Sequence, residues 1–463
     1  MLFFKITREF HKGEERNMVH VRDDMNGDKI TKVAIEEMYS TYQEKGDMRL
    51  YNYFKALIKM SASICFMRNY KSIQALLEVF TIDQVIDCVL NDDMPPPLRA
   101  AFCQLLITLH LDKDPLEKLV VPIMTRVWAE IEQGSLSTPV SNAKIHPKLL
   151  DLKPALNKFI RRSDGILIAN QVEQNELMLE ILRVIETMIG LGFYNSNEEL
   201  IEVTKPLIQL LNGQFDLSDE NEEAAFKKQI EETGDPSIPL LRDESSQKAR
   251  YRRSPYNDVI MQIKDKIVDI CKILMSFQNN VRLSMFLNEF CVCQKKGSPA
   301  LNKYCQLYSQ AISTGNMKNY VNQLRQYSAV QQEICDNANE WVRLTYNERS
   351  LDLQTVSQAE GSDFSCILLE LNLYDNPKLV SNVFQLLIAQ YSQKFSVFDL
   401  ASEVQILQDA EEIAVLTACS STLRGMKKDA ESCEFWLGLS DDESLKMARS
   451  FIDRLNGLID LCI

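Results

Sequence analysis

Four histidines, His11, His20, His110 and His146, are scattered along a chain of 463 residues. None has a second histidine at the spacing that a metal site or an acid–base pair uses. His110 stands between Leu109 and Leu111 and reads as a partly buried packing residue at a helix end. Cys291 and Cys293 form a close thiol pair, but residues two apart on a helix point to different sides and no cysteine–histidine pair completes a zinc set. The run Asp216, Asp219, Glu220, Glu222 and Glu223 could suggest a calcium loop. An EF-hand, however, needs alternating oxygen ligands, a glycine at its sharp turn and a terminal glutamate, and Phe215 to Glu223 contains no glycine. Phosphate-cradling Gly-x-x-x-x-Gly-Lys is absent. Gly190-Leu-Gly192 lacks the third glycine of a dinucleotide fingerprint and follows a helical pattern, so it predicts a helix C-cap ahead of a packed Phe193-Tyr194 pair. The pairs Asp92-Asp93 and Asp441-Asp442 are expected at helix N-termini, where negative charge offsets the dipole. One regulatory candidate remains. In Arg252-Arg253-Ser254-Pro255, basic residues precede Ser254, where a phosphate would add strong negative charge. These residues predict no enzyme, no catalytic or metal residues and no cofactor.

Composition narrows the class further. With 45% hydrophobic and 25% charged residues, the chain can bury a large core, as several domains or as one extended helical array. A formal net charge of -14 argues against a nucleic-acid binder, which needs clustered positive charge to displace counterions. The 12 cysteines sit mostly in apolar helical patterns such as Ile64-Cys65-Phe66, as free reduced thiols do. The opening Met1-Leu-Phe-Phe-Lys5 is charged too early for a signal peptide. No stretch reaches the roughly 18 uncharged apolar residues of a membrane span. The nearest, Ala100 to Leu111, contains His110 and reads as a core helix. A cytosolic chain without membrane insertion of its own is expected.

Stepping along the sequence, a period of 3.6 dominates and no alternation of period two runs beyond a few residues. Val380, Val383, Phe384, Leu387, Ile388 and Tyr391 form one apolar stripe behind an Asn376-Pro377 start. Phe364, Ile367, Leu368 and Leu371 make the matching face of a preceding helix, so the two pieces predict a helical hairpin. Leu98, Phe102, Leu105, Leu106 and Leu109 repeat the spacing after Pro95-Pro96-Pro97. Capping boxes at Thr81–Gln84 and Ser440–Glu443 mark two more starts. Helices are expected near 49–67, 71–80, 82–91 and 98–111, and a loop over 133–154. The predicted fold is all-α: an irregular armadillo/HEAT-like α-solenoid of stacked helical hairpins, interrupted by an acidic linker. Its divisions are an N-terminal extension (1–45), a first helical block (46–213), a mobile acidic-to-basic linker (214–256) and a second block (257–463).

Residue order, as well as pattern, points to one family. Tyr51-Asn-Tyr-Phe-Lys-Ala-Leu57, Cys65-Phe-Met-Arg-Asn-Tyr70, Asp92-Asp-Met-Pro-Pro-Pro-Leu-Arg-Ala-Ala-Phe-Cys103, Leu109-His-Leu-Asp-Lys-Asp-Pro115 and Arg126-Val-Trp-Ala-Glu-Ile131 resemble the helical cytosolic region of inositol trisphosphate receptors. Gly190-Leu-Gly-Phe-Tyr-Asn195 and Leu369-Glu-Leu-Asn-Leu-Tyr-Asp-Asn-Pro-Lys-Leu-Val380 resemble later parts of the same region, in the same order. The likeness is specific over about 45–131 and weaker over 180–213 and 362–408; ryanodine receptors are more distantly similar. The resemblance implies part of a tetrameric calcium-release channel of the endoplasmic reticulum, whose other subunits or domains are the expected partners. It implies a regulatory region coupling ligand binding to channel opening. The ligand-binding module, its basic cluster and the pore have no counterpart in this chain, so no ligand residue carries over. The alternative expectation is a free-standing armadillo-like cytosolic adaptor for protein–protein interaction.

Overall fold

The computed structural model describes residues 2–11, 14–23, 30–134, 145–194, 196–235, 238–297, 328–345, 351–433 and 442–462, with isolated positions between 303 and 310 and at 436. Helices make up 71% of it, which meets the all-α expectation in its coarse form.

The N-terminal stretch departs from that expectation. Strands β1 (Leu2–His11), β2 (Glu14–Asp23) and β3 (Ile30–Ala34) form an antiparallel sheet in the order β1-β2-β3. Charged residues such as Lys5, Arg8, Glu9 and Arg16 interrupt both faces, so the alternation is faint in the sequence. One cross-strand row joins the sheet to the core: Ile6 opposite Val19, and Val19 opposite Val33, all three buried.

Four of the next five helices lie where periodicity puts them. They are α1 (Met38–Glu44), α2 (Arg49–Ile64), α3 (Tyr70–Leu77), α4 (Ile82–Leu90) and α5 (Pro96–Leu106), of which α1 falls within the N-terminal extension. Thr81 and Gln84 close the capping box of α4, each side chain bonding the other's backbone N–H. Prolines occupy the first turn of α5, where a missing N–H costs nothing. That helix continues into a π turn, Ile107–Leu111, in which the Asp112 N–H reaches the Ile107 carbonyl at 2.7 Å. His110 lies in this turn, buried, its Nε2 3.1 Å from the Phe80 carbonyl oxygen ahead of α4.

Strand β4 (Thr125–Val127) and helices α6 (Trp128–Glu132), α7 (Pro147–Arg161), α8 (Val172–Gly190) and α9 (Asn197–Leu211) follow. The loop expected over 133–154 is therefore too long. Residues 135–144 lie outside the described residues, but α7 starts at Pro147 and runs through Pro154. A proline inside a helix costs roughly 3 kcal/mol. Burial of Leu149, Leu152, Leu156, Phe159 and Ile160 along one face outweighs that cost.

The stretch 214–256, expected as a linker, carries helical structure of its own. It contains α10 (Glu220–Thr233), capped by Asp219 and ended by a left-handed Gly234, and α11 (Glu244–Ala249). Pro236 lies outside the described residues. Next come α12 (Asn257–Lys296), α13 (Ser328–Leu344), α14 (Leu353–Ala359), α15 (Phe364–Leu371), α16 (Pro377–Tyr391) and α17 (Gln393–Glu403). Strand β5 (Gln405–Leu407) then pairs parallel to β4, before α18 (Ala410–Glu431) and α19 (Asp442–Cys462). Ser440 and Asp441 lie outside the described residues.

Order in space follows order in sequence along two rows. In one, α2 packs on α5, α5 on α8, α8 on α12 and α12 on α16. In the other, α4 packs on α7, α7 on α9, α9 on α14 and α14 on α15. The rows are stitched together at α4–α5, α7–α8, α9–α12 and α15–α16. A helix in mid-row must be apolar on several sides, and α8 is: Leu177, Met178, Leu179, Ile181, Leu182 and Ile185 are all buried.

Burial pushes the His110 imidazole from its ordinary 6.5 down to about 4. Its folded form thus stays neutral while the unfolded chain takes up a proton, so the stability present above about pH 6.5 is lost as pH falls toward 4. The loss is about 3 kcal/mol for this one group. In urea unfolding, wild type and His110→Gln should diverge across this window, the variant lacking that part of the pH slope.

Candidate functional site

A charge lies at the centre of the stitching. Lys264, on α12, is fully buried between the apolar residues Ile260, Ile263, Ile267 and Val268. Its Nζ is 2.9 Å from Asp216 Oδ2 and donates to the Leu210 carbonyl at 3.0 Å. The second carboxylate contact comes from the α15–α16 turn, where the Tyr374 hydroxyl donates to Asp216 Oδ2 at 2.8 Å. Burial pushes the Asp216 carboxyl above its usual range, against the pull of Lys264 and Tyr374. Burial likewise raises the Tyr374 phenol well above its ordinary value, with Asp216 adding to the effect. A Cβ at position 213 would stand 2.5 Å from the Tyr374 hydroxyl, so this close approach requires Gly213.

Arg250 extends the network. It donates to the Gly213 carbonyl at 2.8 Å and to Glu370 Oε1 at 2.8 Å, and bonds the Tyr251 hydroxyl. Tyr251 donates in turn to Glu370 at 2.6 Å and stacks edge-on against Tyr374, ring centres 5.1 Å apart. Three segments distant in sequence are locked by these groups: the end of α9, the approach to α12 and the α15–α16 hairpin.

The residues that the sequence singled out are not brought together. Ser254 lies ahead of α12, half-buried, where its Oγ accepts the Asn257 N–H at 3.1 Å and its carbonyl accepts from Asp258. A phosphate there would meet a helix N-terminus, where negative charge is stabilised. His20 contacts Thr7 and Glu9 within the sheet, and His146 precedes α7. Of the thiol pair, Cys291 is buried and Cys293 half-buried, both free. Gly192 has a left-handed φ of 78° and Phe193 and Tyr194 are buried, as the C-cap reading expected; Asn195 lies outside the described residues. Asp92 is used by Arg99, at 3.0 Å, and by Arg162. Among the described residues no three His, Cys, Asp or Glu side chains gather as a metal site.

Among the described residues, two surfaces of the helix rows are apolar. The stripe expected on α16 is divided. Val383 and Leu387 face the core together with Leu379 and Leu386, whereas Phe384, Ile388 and Tyr391 face outward. Leu369 and Leu373 of the α15 side and Phe395 of α17 are exposed as well. At the other end of the same row, α2 buries Tyr51, Phe54 and Ile58 and exposes Tyr53, Met60 and Ile64, followed by Phe66 and Met67. The first and last members of a helix row thus each carry a second apolar face. A cavity of about 720 Å³ opens between α7, α8 and α10, with Arg162 of its wall paired to Asp92 and Lys227 to Glu223.

No family model matches the sequence. Among the described residues no helix is long and apolar enough to cross a membrane.

Removing one member of a buried ion pair leaves the other charge uncompensated, at a cost of about 3–5 kcal/mol. Lys264→Met should lose that much in chemical denaturation. The double variant Lys264→Met/Asp216→Asn should recover a large part of it, because the stranded charge is gone. Additive losses would show that the two groups do not act as a pair.

Proposed function

We propose that this chain is a coupling module, an irregular armadillo/HEAT-like α-solenoid that passes small displacements between the parts it joins. Neighbour order carries this reading: along a row each helix packs against the next member of that row in chain order, from α2 through α5, α8 and α12 to α16, as stacked helical repeats do. Such an array moves as a block, because its packed interfaces are bistable and not continuously deformable. The exposed apolar faces of α2 and of α15–α16 fit the same role, as surfaces on which the joined parts would seat.

The resemblance in residue order supplies the setting. On this reading the chain belongs with an inositol trisphosphate-gated calcium-release channel, at the cytosolic face of the endoplasmic reticulum. It contributes the relay there, and neither the messenger site nor the pore. Ser254, ahead of the longest helix, is the position at which phosphorylation would act on the relay.

The test is cross-linking in cells that express an affinity-tagged chain, followed by recovery under denaturing conditions. A channel subunit should be recovered, and calcium release should change when the chain is depleted. Soluble partners without any channel subunit would assign the chain to the adaptor reading instead.

A further inference from the structure

The turn that ends α2 holds two residues in a conformation that side chains resist. Met67 has φ 55° and Arg68 φ 58°, both left-handed and unfavourable for a residue with a Cβ. Arg68 holds the turn in place. Its guanidinium reaches back to Asp112 at 2.9 Å, to Glu431 at 3.0 Å and to the Leu116 carbonyl at 2.8 Å. No residue of the turn Phe66–Arg68 is buried. Phe66 is 64% exposed and Met67 82% exposed, on a backbone anchored by buried Cys65 on one side and by Arg68 on the other.

Helix α2 leads up to this tip with an outward apolar strip. Tyr53, Leu57, Met60 and Ile64 follow at steps of four, three and four, so they share one side of the helix. Tyr53, Met60 and Ile64 are exposed, while Phe54, Ile58 and Ala62 of the inner side are buried. Asn52, Lys59 and Ser63 run beside the strip and are exposed as well.

Charge selects the occupant of this surface. The chain has a formal net charge of -14, yet Met48 to Leu77 holds five basic residues and no acidic one. Arg49 and Arg68 are paired with carboxylates. Lys59 and Lys71 are exposed, and Lys55 lies over the Tyr51 ring. Lysine is depleted at protein–protein interfaces. Against anionic lipid it is favoured, each lysine near the surface strengthening binding about fivefold. A side chain as exposed as Met67 also stands clear of its surroundings. Fluid lipid closes around such a point, whereas a folded partner would need a matching pocket.

We propose that the outer side of α2 and the Phe66–Met67 tip seat on an anionic lipid surface. The apolar side chains enter the boundary between headgroups and acyl chains, and the lysines meet lipid phosphates. The contact is peripheral, since no described helix is long and apolar enough to span a bilayer. It deepens the coupling reading and rests on it only in naming one of the parts joined. The full chain should co-sediment with phosphatidylcholine vesicles containing about 30% phosphatidylserine. Binding should be weaker by about tenfold or more with phosphatidylcholine alone, or in about 0.5 M salt. Phe66→Ser/Met67→Ser and Lys59→Glu should each weaken it by about tenfold or more, with unchanged far-ultraviolet circular dichroism. Phe384→Ser/Ile388→Ser, on the other exposed apolar face, should bind as wild type does. Met67→Trp should add an emission that shifts to the blue with anionic vesicles, a change the wild type lacks. Failure to bind these vesicles overturns the proposal, as does binding indifferent to lipid charge or to Phe66→Ser/Met67→Ser. A photoreactive residue at position 67 that cross-links in cells to a polypeptide and not to lipid assigns the face to a protein and overturns it too. The purified chain meets no channel subunit in the vesicle assays, so this proposal and the coupling role fail separately.

Discussion

A lysine ammonium buried at the middle of a core costs several kcal/mol in lost hydration unless its donors are met. Lys264 meets them with Asp216 and with the carbonyls of Leu210 and Leu211. Those two carbonyls belong to the last turn of α9, where intrahelical partners run out and the helix dipole is negative. One ammonium therefore caps α9, pairs Asp216 and fixes α12 against both. Tyr374 then binds the same carboxylate from the α15–α16 turn. Helices from the early and late parts of the chain are held in register by a group that tolerates no slippage, since a displaced Asp216 would strand the charge.

That constraint explains why the 214–256 stretch misleads in the sequence. Its acidic residues look like one solvated run, yet they do different work. Asp219 caps α10, Glu222 pairs with Arg242 and only Asp216 enters the core. Two signals were present. Asp216 stands between Phe215 and Leu217, and Lys264 interrupts an otherwise apolar helix face. Each is ambiguous alone, because a charge among apolar residues announces burial without naming its partner.

Elsewhere, legibility tracked the number of faces a residue pattern must serve. The helices α2 to α5 and the starts at Thr81 and Asn376 follow from local rules of periodicity and capping, and they stand where those rules place them. The strands do not, since the buried row Ile6, Val19 and Val33 stands amid charged residues that fall on both faces. The α16 stripe fails in a more informative way. Leu379, Val383, Leu386 and Leu387 define the inward face, and Phe384, Ile388 and Tyr391 define another. A helix with two apolar faces gives a broad stripe in the sequence, and periodicity alone cannot say which side meets the core.

Attachment differs between the rows and the C-terminal hairpin, and the difference bears on how force would pass through the molecule. Inside the rows, layers meet through fully buried leucines and isoleucines, each worth about 1.5–3 kcal/mol of burial. Helix α18 is held to the body by charges: Arg68 to Glu431 at 3.0 Å, Lys428 to Asp114 at 3.4 Å and Lys427 to Glu117 at 3.5 Å. The two lysine pairs, open to water, contribute about 0–1 kcal/mol each. A load on the rows is therefore shared across many apolar contacts and shifts them together, whereas a load on the hairpin is taken up first at its ion-paired seam. The stiff part and the yielding part of the chain are set by the same distinction, between apolar contacts that water cannot replace and charged ones that it can.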